Sequence, residues 1–305
     1  MSSVEVISIG NLGLSLLLNV DSFPPTTYST KVRSLEIIGG IEATSIAVGL
    51  SRLETVAGVI GSIGDDWNGM TLKQMLEKEG VDLSHVKLIK GGKTGLCIYI
   101  KDPKGRIWNL TYKGVNEEWG SELVDEEYVK SARAIYVTGD VFTDKRRSFV
   151  FKILRTAKDY GKTVFFNIGP SFLSTESGIL SNLRALIDYW LLNEDQAIEL
   201  LGTLSNSALR FFLKKMEAKA IFIKLDTEGS YVFAKNVSQK FPLQKKVIRD
   251  VLGISEAYDV GFIYGILNGY DLEGAARIAN VVAAFKLEGT GPWNLPRVED
   301  ISNYL

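Results

Sequence analysis

Apolar positions along this chain follow two rhythms, a strand-like alternation and a helix-like spacing of three and four, and the two take turns from end to end. Val4-Glu5-Val6-Ile7-Ser8-Ile9 alternates and stops at Gly10, which predicts a first strand. A second extended run, Leu12 to Val20, closes at Asp21-Ser22-Phe23-Pro24-Pro25; residues 26–30 read as a loop and Lys31 to Ile38 as another strand. After Gly39-Gly40 the spacing changes, with Ile46, Ala47, Leu50 and Leu53 on one helical face. Thr55 to Ile63 predicts a strand, residues 64–69 a loop, and Leu72, Met75 and Leu76 a helix that stops near Gly80. Leu96 to Lys101 and Arg106 to Tyr112 flank Asp102-Pro103-Lys104-Gly105, whose proline and glycine suit a hairpin.

Beyond the hairpin, strands and helices alternate regularly. Strands are predicted at 134–137, 163–166, 189–192, 220–224 and 230–234. Helices are predicted near 144–160, 177–185, 195–201, 206–217, 256–268 and 273–287. The last of these is apolar nearly all round and reads as buried. Such alternation implies an α/β fold with a mostly parallel sheet covered by helices on both faces. The early hairpin-like strands, about 12–38 and 94–113, suggest a small sheet or lid within one domain spanning 1–305. No internal repeat or linker stands out.

One stretch combines local structure with chemistry. Asp250-Val251-Leu252-Gly253-Ile254-Ser255-Glu256 reads as the end of a strand, a glycine turn and a helix N-terminus. Free N–H groups and the positive end of a helix dipole favour an anion there. A carboxylate on that first turn has the chemistry of a general base for a hydroxyl. The structural alternative is that Glu256 only stabilises the helix end, worth a few tenths of a kcal/mol.

Composition narrows the classes. The 305 residues are 46% hydrophobic and 23% charged, with a formal net charge of −1, so no basic excess points to nucleic acid or to an acidic membrane surface. A single cysteine, Cys97, and a single histidine, His85, leave no intramolecular disulfide, histidine-based triad or multi-histidine metal site. No apolar run approaches the roughly 18 residues needed to span a bilayer, and no basic-plus-apolar leader opens the chain, so a cytoplasmic location is expected. Asp65-Asp66 has the look of a metal pair but the context of a turn. Trp108 and Tyr112 suit packing, closure over a substrate or a lid–lid contact. Lys214-Lys215 and Lys245-Lys246 read as solvated charge pairs.

The order of motifs resembles the ribokinase-like (PfkB) family of carbohydrate and nucleoside kinases from Ile7 to Leu305. Gly39-Gly40-Ile41-Glu42-Ala43-Thr44 is similar to its double-glycine signature. Gly61-Ser62-Ile63-Gly64-Asp65-Asp66, Leu76 and Gly80-Val81-Asp82 continue the match. The Asp250–Glu256 stretch occupies the second signature, where members carry Asp-Thr-Thr-Gly-Ala-Gly-Asp. Ala275 to Ala284, Gly289-Thr290-Gly291 and Leu295-Pro296 resemble the nucleotide-side segment. The resemblance implies a three-layer α/β/α sandwich with a β lid, and transfer of the ATP γ-phosphoryl group, with Mg2+, to an alcohol group of a sugar or nucleoside-like substrate. With the aromatic hairpin of Trp108 and Tyr112, a monomer or a homodimer joined through the lid is expected.

Carried over by position, it places Glu256 as base, with Gly253 and Ser255 in the anion-binding turn. Asn11, Ser15, Gly39, Gly40 and Thr44 fall on the substrate side, and Asn193, Lys224, Asp226, Gly229 and Asn280 on the nucleotide side. Gln196 would meet the metal through water. Several of these depart from the family pattern. Glu256 replaces aspartate, and Ile254 and Ser255 add bulk to the turn. Ser15, Asn167 and Gln196 stand where members carry acids, and Thr44 stands where they carry asparagine. Lys224 and Asp226 replace the threonine and first glycine of a phosphate-side loop. Two functions remain open: a kinase with Glu256 as base, or a lapsed enzyme that binds a small molecule or a protein on the same scaffold.

Overall fold

The structure is a computed structural model that describes residues 3–25, 28–142, 145–169, 172–173, 178–244 and 247–305. The chain opens with β1 (Val6–Ile9), β2 (Gly13–Val20), β3 (Val32–Gly40) and α1 (Glu42–Arg52). β4 (Ala57–Gly64), α2 (Trp67–Lys78), β5 (Val86–Ile89) and the hairpin β6 (Gly95–Lys101) and β7 (Ile107–Tyr112) follow. Next come α3 (Glu126–Ser131), β8 (Ala134–Thr138), α4 (Arg147–Asp159), β9 (Thr163–Asn167), α5 (Gly178–Asn182), β10 (Tyr189–Asn193), α6 (Glu194–Leu201) and α7 (Asn206–Met216). The last part contains β11 (Ala220–Lys224), β12 (Gly229–Ala234), β13 (Ser238–Pro242), α8 (Ile254–Leu267), α9 (Leu272–Leu287) and α10 (Val298–Ile301).

Nine strands form the main sheet in the order β13-β12-β11-β10-β9-β8-β1-β4-β5. Neighbours from β11 to β5 are parallel, and β12 and β13 turn back antiparallel at one edge. Side chains alternate across this sheet and divide the interior in two. Tyr136, Phe165, Leu191 and Phe222 face a core shared with α1, α8 and α9. Ile135, Phe166, Trp190 and Ile221 face the other core, with α4 and α7. Both faces are covered, which is why these strands are apolar throughout rather than alternating with polar residues.

The lid is a second sheet in the order β3-β2-β6-β7. Its register places Leu35, Leu18 and Ile100 with Trp108 in one row, and Ile37, Leu16 and Ile98 with Leu110 in the next, all on one face. The opposite face carries Ser15, Cys97 and Tyr99. The Asp102 side chain closes the predicted hairpin, accepting from the Lys104 and Arg106 N–H groups at 3.0 Å each.

Two local expectations are corrected. Residues 67–69 belong to α2 rather than to a loop, because Asp66 caps the helix by accepting from the Gly69 N–H at 3.0 Å; such a cap contributes about 1 kcal/mol. Asp65 likewise serves the fold, accepting from the Gly91 N–H at 2.8 Å. The strand expected directly before the glycine turn is absent. β13 ends at Pro242, and Val247 and Ile248 are exposed in an irregular segment. Lys245 and Lys246 lie outside the described residues.

Candidate active site

The parallel strands end, and helix α8 begins, around one small cavity of about 110 Å³. Glu42 comes from the start of α1, Tyr136 and Thr138 from β8, Asn167 from the end of β9, Asn193 from the end of β10, and Ser255 and Glu256 from the first turn of α8. The ends of parallel strands and a helix N-terminus thus meet in one place, where an open α/β sheet leaves room for a ligand.

The turn before α8 is built to be tight. Gly253 is the N-cap residue with φ +84°, and a Cβ there would lie 2.3 Å from the Pro292 Cα, so only glycine fits. Asp250 braces the turn from below. Its carboxylate accepts from the Gly291 N–H at 2.7 Å and the Leu252 N–H at 3.2 Å. The Lys286 ammonium, fully buried, donates to the Asp250 carbonyl at 2.9 Å, and burial pushes its pKa down to about 8. The Ile254 N–H is bonded to Val251, whereas among the described residues no backbone carbonyl accepts from the N–H of Gly253 or Ser255. These two donors and the helix dipole favour an anion at the turn.

Glu256 lies one turn before Asp259 on α8, and the two acids have different surroundings. Asp259 is fully buried and satisfied: Lys224 donates to it at 2.9 and 3.2 Å, Asn167 at 2.7 Å and Tyr136 at 3.3 Å. Burial still raises its pKa, outweighing the attraction of Lys224. Glu256 faces the cavity instead. Burial holds its carboxyl above the ordinary value, partly offset by its own backbone N–H and by Lys224 and Lys286. A carboxyl raised in this way has the character of a general base that works nearer neutrality.

The network corrects the expectation for Lys224. Its side chain is 1% exposed and its ammonium is committed to the buried Asp259 carboxylate. Asp226 takes a left-handed backbone conformation, φ +46°, and its carbonyl accepts from the Tyr258 hydroxyl at 2.8 Å. Gly229 cannot carry a side chain, because a Cβ would lie 2.0 Å from the Phe241 carbonyl oxygen. Asn280 donates to that same carbonyl at 2.9 Å, leaving its own Oδ1 buried without a partner among the described residues.

Ser15 and Thr44 are both fully buried. They donate to the carbonyls of Gly40 at 3.2 Å and Ile41 at 2.6 Å, so their hydroxyl protons are already committed to backbone. Asn11 receives a hydrogen bond from the buried Arg146 at 3.1 Å. Gly39, with φ +111°, packs on the Trp293 ring, and a Cβ on Gly40 would lie 2.1 Å from the Thr44 hydroxyl, so the double glycine holds two close approaches. Asn193 accepts from the Ser255 hydroxyl at 3.1 Å, and Gln196 accepts from the Asn193 N–H at 2.9 Å. Asn193, Gln196 and Ser255 are thus joined at the cavity wall; Lys224, Ser15 and Thr44 do not line it.

Sequence reasoning passed over Asp259 and Glu42. For Asp259 there was a signal, since an acid inside an otherwise apolar helix needs a buried partner. Glu42 gave none: it occupies an ordinary acidic position in the first turn of a helix.

The chain matches the pfkB family of carbohydrate kinases over residues 3–297. It belongs to that family. An ATP-dependent ribose-1-phosphate kinase of Halopiger xanaduensis is 28% identical over 302 residues, covering 99% of this chain and 98% of the relative. A nucleoside kinase of Methanothermobacter thermautotrophicus is 23% identical, covering 94% of this chain and 90% of its own. The fold matches ribokinase from Thermotoga maritima with a TM-score of 0.84 at 19% identity, covering 99% of both chains. It also matches a putative ribokinase II from Escherichia coli in complex with ATP and Mg2+, with a TM-score of 0.84 at 17% identity, covering 99% and 98%. The chain shares with these solved structures its helix-covered, mostly parallel sheet and small second sheet, and among the described residues no helix is long and apolar enough to cross a membrane.

Proposed function

We propose that this pfkB member is an ATP-dependent kinase that transfers the γ-phosphoryl group to a hydroxyl of a small sugar or nucleoside-like substrate. The observation that carries this reading is the position of Glu256, on the first turn of α8, facing the same cavity as Asn193, Gln196 and Ser255. Phosphoryl transfer asks for positioning and charge stabilisation more than for covalent chemistry. Glu256 would accept the proton of the attacking hydroxyl. The N–H groups of Gly253 and Ser255 would meet the charge developing on the transferred group.

Mg2+ fits the residues present. The Oε2 atom of Glu42, on the cavity wall, is buried and has no hydrogen-bond partner among the described residues, and Asn193 and Gln196, which line the same wall, would meet the metal's water shell. Bound there with ATP, the ion would neutralise phosphate charge. Among the described residues no three acid, histidine or cysteine groups could hold a metal on their own, so nucleotide and water would have to supply the ion's remaining ligands. A thermal-shift titration with Mg2+ and ATP, followed by ADP detection over a panel of sugars, sugar phosphates and nucleosides, tests the reading. Stabilisation by nucleotide with turnover of at least one substrate is expected. No shift and no turnover would leave the scaffold as a binding module.

We further propose a homodimer joined through the lids. The lid face away from the site exposes Leu35, Leu110 and Tyr112 at 61%, 51% and 55%, in continuous rows with Leu16, Leu18 and Ile98. Contiguous apolar surface of this kind is what a second copy would cover. Sedimentation velocity should give a dimer at micromolar concentration, and a monomer for Leu35→Lys/Leu110→Lys. A wild-type monomer would contradict the proposal.

A further inference from the structure

Glu42 has a combination of features that helix capping does not explain. As the first residue of α1 it adopts φ +29°, a strained conformation that L side chains rarely take. Its side chain lines the cavity opposite Glu256, and its Oε2 atom is sealed from solvent with no hydrogen-bond partner among the described residues. A buried acceptor left unsatisfied is destabilising in its own right. Strain and an open acceptor at one side chain are explained together if a bound group completes the site.

The rest of the wall indicates what that group is. Where the family resemblance implies acidic side chains for metal handling, this chain carries Asn167 and Gln196. Both amides are engaged, Asn167 donating to Asp259 at 2.7 Å and Gln196 accepting from the Asn193 N–H at 2.9 Å. The carboxyls that line the cavity are those of Glu42 and Glu256. Asp140 and Thr138 contact the Glu42 carboxyl from the end of β8, and burial with the Asp140 carboxyl beside it pushes the Glu42 pKa well above its ordinary value; Tyr136 lines the same wall, and Cys97 and Tyr99 face it from the lid. Among the described residues no lysine or arginine lines the cavity, although Lys224 and Lys286 act on Glu256 from behind it. A divalent cation answers all of this: it takes an oxygen ligand from one or two carboxylates and fills its remaining positions with water and phosphate oxygens.

We propose that Glu42 is a carboxylate ligand of the divalent cation that accompanies the nucleotide, so that the metal-handling acid has moved from the α6 side of the cavity to the first residue of α1. The inference rests on the kinase reading for the presence of nucleotide, and it assigns a role to Glu42 that the family pattern does not.

The test is binding of Mn2+, followed by electron paramagnetic resonance in the presence of the non-hydrolysable β,γ-imido analogue of ATP. The variants are Glu42→Gln, which keeps shape and removes charge, and Glu42→Ala; circular dichroism and thermal melts establish that each is folded. Wild type should take up Mn2+ with the analogue, and Glu42→Gln should weaken Mn2+ affinity by at least about tenfold while binding the metal-free analogue within twofold of wild type. Equal Mn2+ affinity in the folded variants would overturn the proposal, as would wild type that takes up the analogue but holds Mn2+ no better than free analogue does. Kinase turnover, measured separately, keeps the two ideas apart. An active enzyme whose Mn2+ affinity ignores residue 42 loses the ligand and keeps the kinase. Glu42-dependent Mn2+ uptake with no turnover on any substrate keeps the ligand and loses the kinase.

Discussion

Glu256→Gln is expected to lower kcat for phosphoryl transfer by ~10²–10⁴ with a much smaller change in KM, the usual consequence of removing a general base. The same substitution should raise the thermal midpoint near neutral pH. Burial raises the pKa of Glu256 in the folded protein above its ordinary 4.5, so folding favours the protonated acid. That stabilising contribution is complete below 4.5 and is lost as pH rises through the folded-state value. At pH 7.5 the wild type therefore bears a cost that glutamine does not, and the difference in midpoint should shrink toward pH 4. Melting curves at the two pH values, with steady-state kinetics on the same preparations, check both halves. Wild-type rate should rise with pH through the raised value, since only the ionised carboxylate accepts the proton. A variant that is slower and also less stable at pH 7.5 would mean that Glu256 supports the fold rather than the reaction.

Lys224→Met should destabilise the protein by about 3–5 kcal/mol, because it leaves a buried carboxylate without its cation. Lys224 and Asp259 are 1% and 0% exposed, and their pair ties β11 to α8 while Asn167 and Tyr136 bring in β9 and β8. Asp259 and Glu256 lie three residues apart on neighbouring turns of one helix face. The anchor at Asp259 therefore sets the rotation of α8 that turns Glu256 to the cavity. The double variant Lys224→Met/Asp259→Asn should recover a large part of the loss, since it removes the stranded charge as well as its partner. Urea denaturation of the three proteins measures this directly. A single variant within about 1 kcal/mol of wild type would show that the pair does not anchor the helix.

The two predictions also show where sequence and structure diverge. The mostly parallel sheet and the two layers of helices were legible because each strand is a short apolar run bounded by turns, and each helix shows a face at the right spacing. The lid was legible from its hairpin, Asp102-Pro103-Lys104-Gly105. The start of α2 was not, since Asp66 looked like loop chemistry until its carboxylate was seen accepting the Gly69 N–H. At the site, Gly253 and Glu256 could be read because their neighbours in sequence are their neighbours in space. Lys224 could not, since its position in sequence suggested a phosphate-side loop, while the direction of its side chain is decided by Asp259, 35 residues further on. Glu42 was hidden for the same reason. Its meaning comes from the cavity it shares with Glu256, which only the folded chain brings together.

The central claim, that this cavity transfers a phosphoryl group to an alcohol with Glu256 as base, is tested most directly by phosphorus NMR. Wild type, Mg2+ and ATP are incubated with each member of a sugar, sugar-phosphate and nucleoside panel, and the same mixtures are run with Glu256→Gln. The account predicts ADP together with a new phosphate-ester resonance for at least one alcohol in the wild-type reactions, and neither in the Glu256→Gln reactions over the same time. ADP accompanied only by inorganic phosphate, or a new ester formed equally fast by both proteins, would contradict it.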